Sequence, residues 1–117
     1  MNGREIAEAF LSGDIEAATG SLTEDAVFHS PVRDYHGRER VAAVLGMVTH
    51  VLGRGEISSV LEAADGAESA TFFTAQVGEG TLDGVLRVKG TSDITLMARP
   101  LRVLLPAVKQ LQGAAPS

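Results

Sequence analysis

The sequence predicts an α+β fold in which a cone-shaped, curved antiparallel sheet wraps around helices. Three observations carry this. The first half reads as short helices with one long amphipathic helix, and the second half as four strands in close succession. The connections in the second half are glycine-containing hairpin signals: Asp65-Gly66, Gly78-Glu79-Gly80 and Gly90-Thr91-Ser92. Glycines at 66, 78, 80, 84 and 90 let a sheet of such long strands bend around the Arg38–Leu52 helix.

At the N-terminus, Asn2 followed by Glu5 fits an N-cap and its capping-box partner. Ile6, Ala9 and Phe10 then share a helical face, and Gly13 ends the helix. Asp14 caps a second short helix whose Ile15, Ala18 and Leu22 share a face. Ala26 to Ser30 reads as a strand stopped by Pro31, and Pro31 to Gly37 as a polar loop. From Arg38 to Leu52 the pattern is helical, with Val41, Val44, Leu45, Val48 and Leu52 in one stripe. Four strands follow over 56–64, 69–77, 81–89 and 93–99, spaced for an antiparallel meander. Leu101, Leu104, Leu105, Val108 and Leu111 form a terminal helical stripe interrupted by Pro106. The stretch 114–117 reads as a frayed, disordered tail, leaving 1–113 as one domain.

Composition removes several functional classes. At 117 residues and 12.2 kDa the chain is sized for one domain. It has no cysteine, hence no disulfide, thiol nucleophile or thiolate metal site. A net charge of −5, 4% aromatic residues and no Trp argue against a nucleic-acid partner. No segment resembles an export signal or a membrane span, so a cytoplasmic location and no membrane partner are expected. Arg outnumbers Lys eight to two, which is compatible with a GC-rich bacterial genome. Residues 1–93 carry all 15 acids and seven of the ten bases, a net of −8, whereas 94–117 carry three bases and no acid. That C-terminal strip is either a solvated face or a contact for an acidic ligand or partner.

Two runs carry a resemblance. Ala9-Phe-Leu-Ser-Gly-Asp-Ile-Glu-Ala17 and Leu22-Thr-Glu-Asp-Ala-Val-Phe-His-Ser-Pro-Val32 resemble the opening of the nuclear transport factor 2-like superfamily. Its SnoaL-like branch includes polyketide cyclases, ketosteroid isomerases and limonene-epoxide hydrolases. Tyr35-His-Gly-Arg-Glu-Arg40 is similar to the family's entry into its third helix, and the likeness runs from about residue 4 to 112. It implies a cystatin-like, SnoaL-like α+β barrel, a homodimer packed through its sheet, and a cone holding an apolar small molecule. Phe10, Phe28, Tyr35, Leu45 and Val48 are the ligand-binding candidates on that likeness. No cofactor and no metal are implied.

The catalytic positions are matched one at a time. Where ketosteroid isomerases place the base, the oxyanion tyrosine and the second acid, this chain has Ser30, Ile6 and Gly84. SnoaL-like cyclases use one aspartate on a late strand, which makes Asp83 the carboxylate candidate; an apolar pocket makes such a base stronger. Alternation along the strand instead groups Asp83 with Val85 and Arg87, opposite Leu82, Gly84, Leu86 and Val88, so an exposed face is the competing reading. His29 is the second acid–base candidate, because imidazole titrates near neutrality, but it alternates with Phe28. Asp83, Arg87, Asp93 and Arg99 supply the residue types of an epoxide hydrolase. Function is therefore expected to be an isomerase or cyclase acting on a hydrophobic ring compound by acid–base chemistry. The alternatives are a non-catalytic ligand-binding or dimerisation module and an epoxide hydrolase-like enzyme. Phe72 and Phe73 are adjacent, so one of them faces away from the core.

Overall fold

A computed structural model describes residues 2–52 and 55–100. The expected terminal stripe over 101–111 and the tail over 114–117 lie outside the described residues.

Helix α1 spans Gly3–Ser12. The Asn2 side chain accepts from the Glu5 backbone N–H at 2.9 Å, and Glu5 Oε1 accepts from the Asn2 N–H at 3.1 Å. Both are orphan donors that a helix start must satisfy. Gly13 closes the helix in the left-handed region at φ 87°, its N–H donating to the Ala9 and Phe10 carbonyls. The Asp14 side chain then accepts from the Ala17 N–H at 3.2 Å and starts α2, Ile15–Thr19. Leu22 lies beyond this helix yet is buried.

Two three-residue strands follow, β1 (Val27–His29) and β2 (Asp34–His36). The second corrects the expected polar loop. The chain reverses at Ser30–Arg33, where the Ser30 hydroxyl donates to the Arg33 carbonyl and accepts from the Val32 and Arg33 N–H groups. Tyr35 then pairs with Phe28 and turns inward, while Asp34 and His36 stay exposed. One inward residue in a three-residue strand leaves no alternation to read.

Helix α3 covers Arg38–Leu52, and its five stripe residues are all buried. The remaining strands are β3 (Glu56–Glu62), β4 (Glu68–Val77), β5 (Gly80–Lys89) and β6 (Asp93–Arg99). The sheet is curved and open, in the order β2-β1-β6-β5-β4-β3. All pairings are antiparallel except β1 with β6, which is parallel. A parallel neighbour needs a long crossover, which α3 and the β3–β5 meander provide.

The core lies between the inner sheet face and the helices. Ile6 and Phe10 of α1 and Val41 and Leu45 of α3 belong to one buried cluster with Phe28, Tyr35, Phe73, Leu86 and Ile94 of the sheet. The Phe73 ring covers Gly84, its cross-strand partner: a Cβ built there would lie 2.4 Å from Phe73 Cζ. Glycine is required at this close approach, where it leaves space for the ring.

Candidate functional site

Period-two alternation decides where each acid–base candidate stands. On β5, Leu82, Gly84, Leu86 and Val88 are buried against the helices. Asp83, Val85 and Arg87 therefore lie on the outer face, and Asp83 is exposed. On β1 the buried residue is Phe28, so His29 also lies on the outer face. Asp83 pairs with Arg99 and His29 with Thr95, four residues away along β6. At 3.3–3.4 Å per residue this is about 13 Å, so the two do not form one acid–base pair.

His29 is held by two carboxylates. Its Nδ1 lies 2.8 Å from Asp34 Oδ1 on β2, and its Nε2 lies 3.3 Å from Asp93 Oδ1 on β6. The arrangement ties three neighbouring strands together. Farther along the same face Arg87 pairs with Glu68, and the hydrogen bond and charge of Glu68 raise the guanidinium pKa. Of the residue types matched to an epoxide hydrolase, Arg87 and Asp93 are thus engaged in cross-strand pairs, and Asp83 and Arg99 are exposed.

The five apolar candidates occupy the interior. Phe10, Phe28, Tyr35, Leu45 and Val48 are each at most 4% exposed and belong to the one core cluster. Tyr35 stacks on Phe28 with ring centroids 6.3 Å apart, and the Arg33 guanidinium lies 5.4 Å from its ring centroid. Its hydroxyl is buried and has no hydrogen-bond partner among the described residues. The three positions matched to isomerase machinery have structural roles: Ser30 builds the β1–β2 turn, Ile6 is buried in the core, and Gly84 lies under the Phe73 ring.

Two concavities open on other surfaces. One, of about 790 Å³, lies where α2 and the β2–α3 junction meet, with Glu24, His36, Arg38, Glu39 and Arg40 in its lining. Its charges are mixed. The other, of about 470 Å³, is a groove on the outer sheet face lined by Ser58, Phe72, Thr74, Asp83, Val85, Met97 and Arg99. Phe72 is the outward member of the adjacent phenylalanine pair. Met97 is 51% exposed, and Leu61 on β3, 62% exposed, extends the same face beside Ala70. The legible signal for this groove was Val85 and Met97, apolar residues in the outward set of strands that cover a core on one side. No cluster of three or more His, Asp or Glu side chains suited to a metal occurs among the described residues: Asp34 and Asp93 approach opposite nitrogens of His29 and do not converge on one point. No helix among those residues is long and apolar enough to cross a membrane.

Comparison with known proteins places this geometry. The chain matches the SnoaL-like domain family over residues 4–97. No curated protein matches it. Among solved structures it is similar to a steroid delta-isomerase from Pseudomonas aeruginosa, with 28% identity and a TM-score of 0.79 over 94% of this chain and 85% of that one. It is also similar to an uncharacterized protein with a cystatin-like fold from Silicibacter pomeroyi, with 27% identity and a TM-score of 0.78 over 93% and 82% of the two chains. A de novo designed protein with a curved β-sheet aligns over 94% and 93% with a TM-score of 0.74; at 17% identity this likeness concerns the fold alone. The sheet order, the helices packed on one face and the match across most of the chain agree: this chain belongs to the SnoaL-like domain family.

Proposed function

We propose that this SnoaL-like domain is a non-catalytic module that self-associates through the outer face of its sheet. One observation carries the reading. The five apolar candidates belong to the buried core cluster, while both acid–base candidates stand on the opposite face, where Leu61, Val85, Met97 and Phe72 present apolar surface among the described residues. Covering such a patch with its own copy is the commonest way for a soluble chain to remove it from water. Sedimentation velocity across the micromolar range tests this. The wild-type chain is expected at twice its 12.2 kDa mass. Met97→Arg, in the middle of the face, is expected at the monomer mass with an unchanged circular dichroism spectrum. A wild-type chain that stays monomeric throughout overturns the proposal.

A second reading, a cofactor-free isomerase or cyclase acting on a hydrophobic ring compound inside the cone, is favoured by the 28% identity to a steroid delta-isomerase. The Tyr35 hydroxyl, buried and without a partner among the described residues, gives it a local anchor, since a buried hydroxyl ordinarily has a partner and a ligand oxygen is one candidate. Turnover of an unsaturated ketosteroid that Tyr35→Phe reduces would favour this reading over the first.

A further inference from the structure

The outer face carries more than apolar surface. Asp83 on β5 and Arg99 on β6 are cross-strand partners, both exposed, and both line the groove with Phe72, Val85 and Met97. Neither makes an ion pair within 4.0 Å among the described residues. Their neighbours on this face differ: Arg87 is taken by Glu68, and Asp93 by His29. One negative and one positive charge therefore stand side by side, open, at the end of an apolar patch.

We infer that these two charges set the geometry of self-association, each pairing with the other's counterpart on a second copy across a twofold axis that runs along the strands between β5 and β6. The inference rests on the self-association proposed above and deepens it.

Two sheets that meet through the same face are related by a twofold axis lying in the interface, and such an axis exchanges positions on its two sides. If it runs between β5 and β6, every outward residue of β5 meets its own cross-strand partner from the second copy. The register then stacks Asp83 on Arg99, Val85 on Met97, Arg87 on Thr95 and Lys89 on Asp93. Opposite charges meet at Asp83–Arg99 and again at Lys89–Asp93, the latter already beside His29, and Val85 meets Met97 next to the first pair. Other axes along the strands do worse. An axis along β5 sets Asp83 on Asp83, and one along β6 sets Arg99 on Arg99. An axis between β4 and β5 sets Asp83 on Thr74 and leaves both charges without a partner. Charge complementarity of this kind fixes register and rejects wrong pairings, and like charges in contact are repelled.

Charge reversal tests the inference. Asp83→Arg presents four arginines at the axis and Arg99→Asp presents four aspartates. Each variant alone is expected to self-associate at least about tenfold more weakly than wild type at low salt, where screening is least. Mixing the two variants restores association as a heterodimer, because each arginine then faces an aspartate. The double variant Asp83→Arg/Arg99→Asp, with the pair exchanged within one chain, is expected to form a homodimer again. Both positions are exposed, so circular dichroism is expected to show wild-type folding in every variant; should one single variant unfold, Asp83→Asn and the double variant still read the pairing. If wild type dimerises and the single reversals dimerise equally well at low salt, this inference is overturned and self-association stands. If wild type is monomeric while Met97→Arg changes nothing, the self-association reading itself fails, and this inference with it.

Discussion

Replacing Gly84 by alanine probes a close packing contact in the sheet. An ideal Cβ there lies 2.4, 2.7 and 3.0 Å from Cζ, Cε1 and Cε2 of Phe73. Carbon atoms in contact sit about 3.5–4.0 Å apart, so the ring must retreat by roughly 1 Å. Phe73 is 2% exposed and packed in the core, so its retreat displaces other buried side chains. Overpacking of this kind costs about 1–3 kcal/mol. Alanine also recovers about 0.5–1 kcal/mol of backbone entropy that glycine loses in a strand. The net expectation is a loss of about 1–2 kcal/mol. In urea, with a slope near 1–2 kcal/mol per molar for a chain of this size, the midpoint falls by about 1 M while the slope holds. Phe73→Leu in the Gly84→Ala background opens the space, so the double variant is expected to lose less than the sum of the two single losses. A Gly84→Ala chain as stable as wild type, or additive losses in the cycle, would refute the packing argument.

Two further outcomes follow from individual contacts. Asn2→Ala removes the acceptor that caps α1 and is expected to lower stability by about 0.5–1 kcal/mol, read as a lower thermal midpoint, with Asn2→Asp retaining most of it. Tyr35→Phe deletes a buried hydroxyl that has no partner among the described residues, so the urea midpoint is expected to hold or rise by the equivalent of up to about 1 kcal/mol; a clear fall would mean that the hydroxyl is hydrogen-bonded in the folded protein.

The parts of this fold that were legible in the sequence are the ones governed by neighbours a few residues apart. The α3 stripe, the Asn2–Glu5 box and the Gly13 stop each depend on local geometry, and each stands where the spacing placed it. The same holds for the side of β5 on which Asp83 falls, because alternation alone sets it. What stayed hidden depends on register between distant segments. Nothing near Phe73 announces that its ring covers Gly84, and nothing near His29 announces Asp93. Strand β2 escaped for a different reason. Its sole inward residue, Tyr35, owes its burial to pairing with Phe28 across a turn built by a serine hydroxyl. The groove on the outer face was half legible: Val85 was visible as an outward apolar residue beside Asp83, but its adjacency to Met97 across the β5–β6 register was not.

The parallel pairing of β1 with β6 has a consequence for how the chain is made. Val27 and Asp93 are neighbours in the finished sheet, yet a ribosome adding about 5–20 residues each second delivers the second several seconds after the first. Throughout that interval the β1–β2 hairpin lacks the strand that ties it to the rest of the sheet. The meander of β3 to β5 meanwhile ends in an open edge along β5, the kind of edge that recruits stray strands. The last described strand to emerge is the one that joins both halves. A chain released before residue 93 would thus lack the one strand that joins the β1–β2 hairpin and the meander into a single sheet, and would leave both edges open.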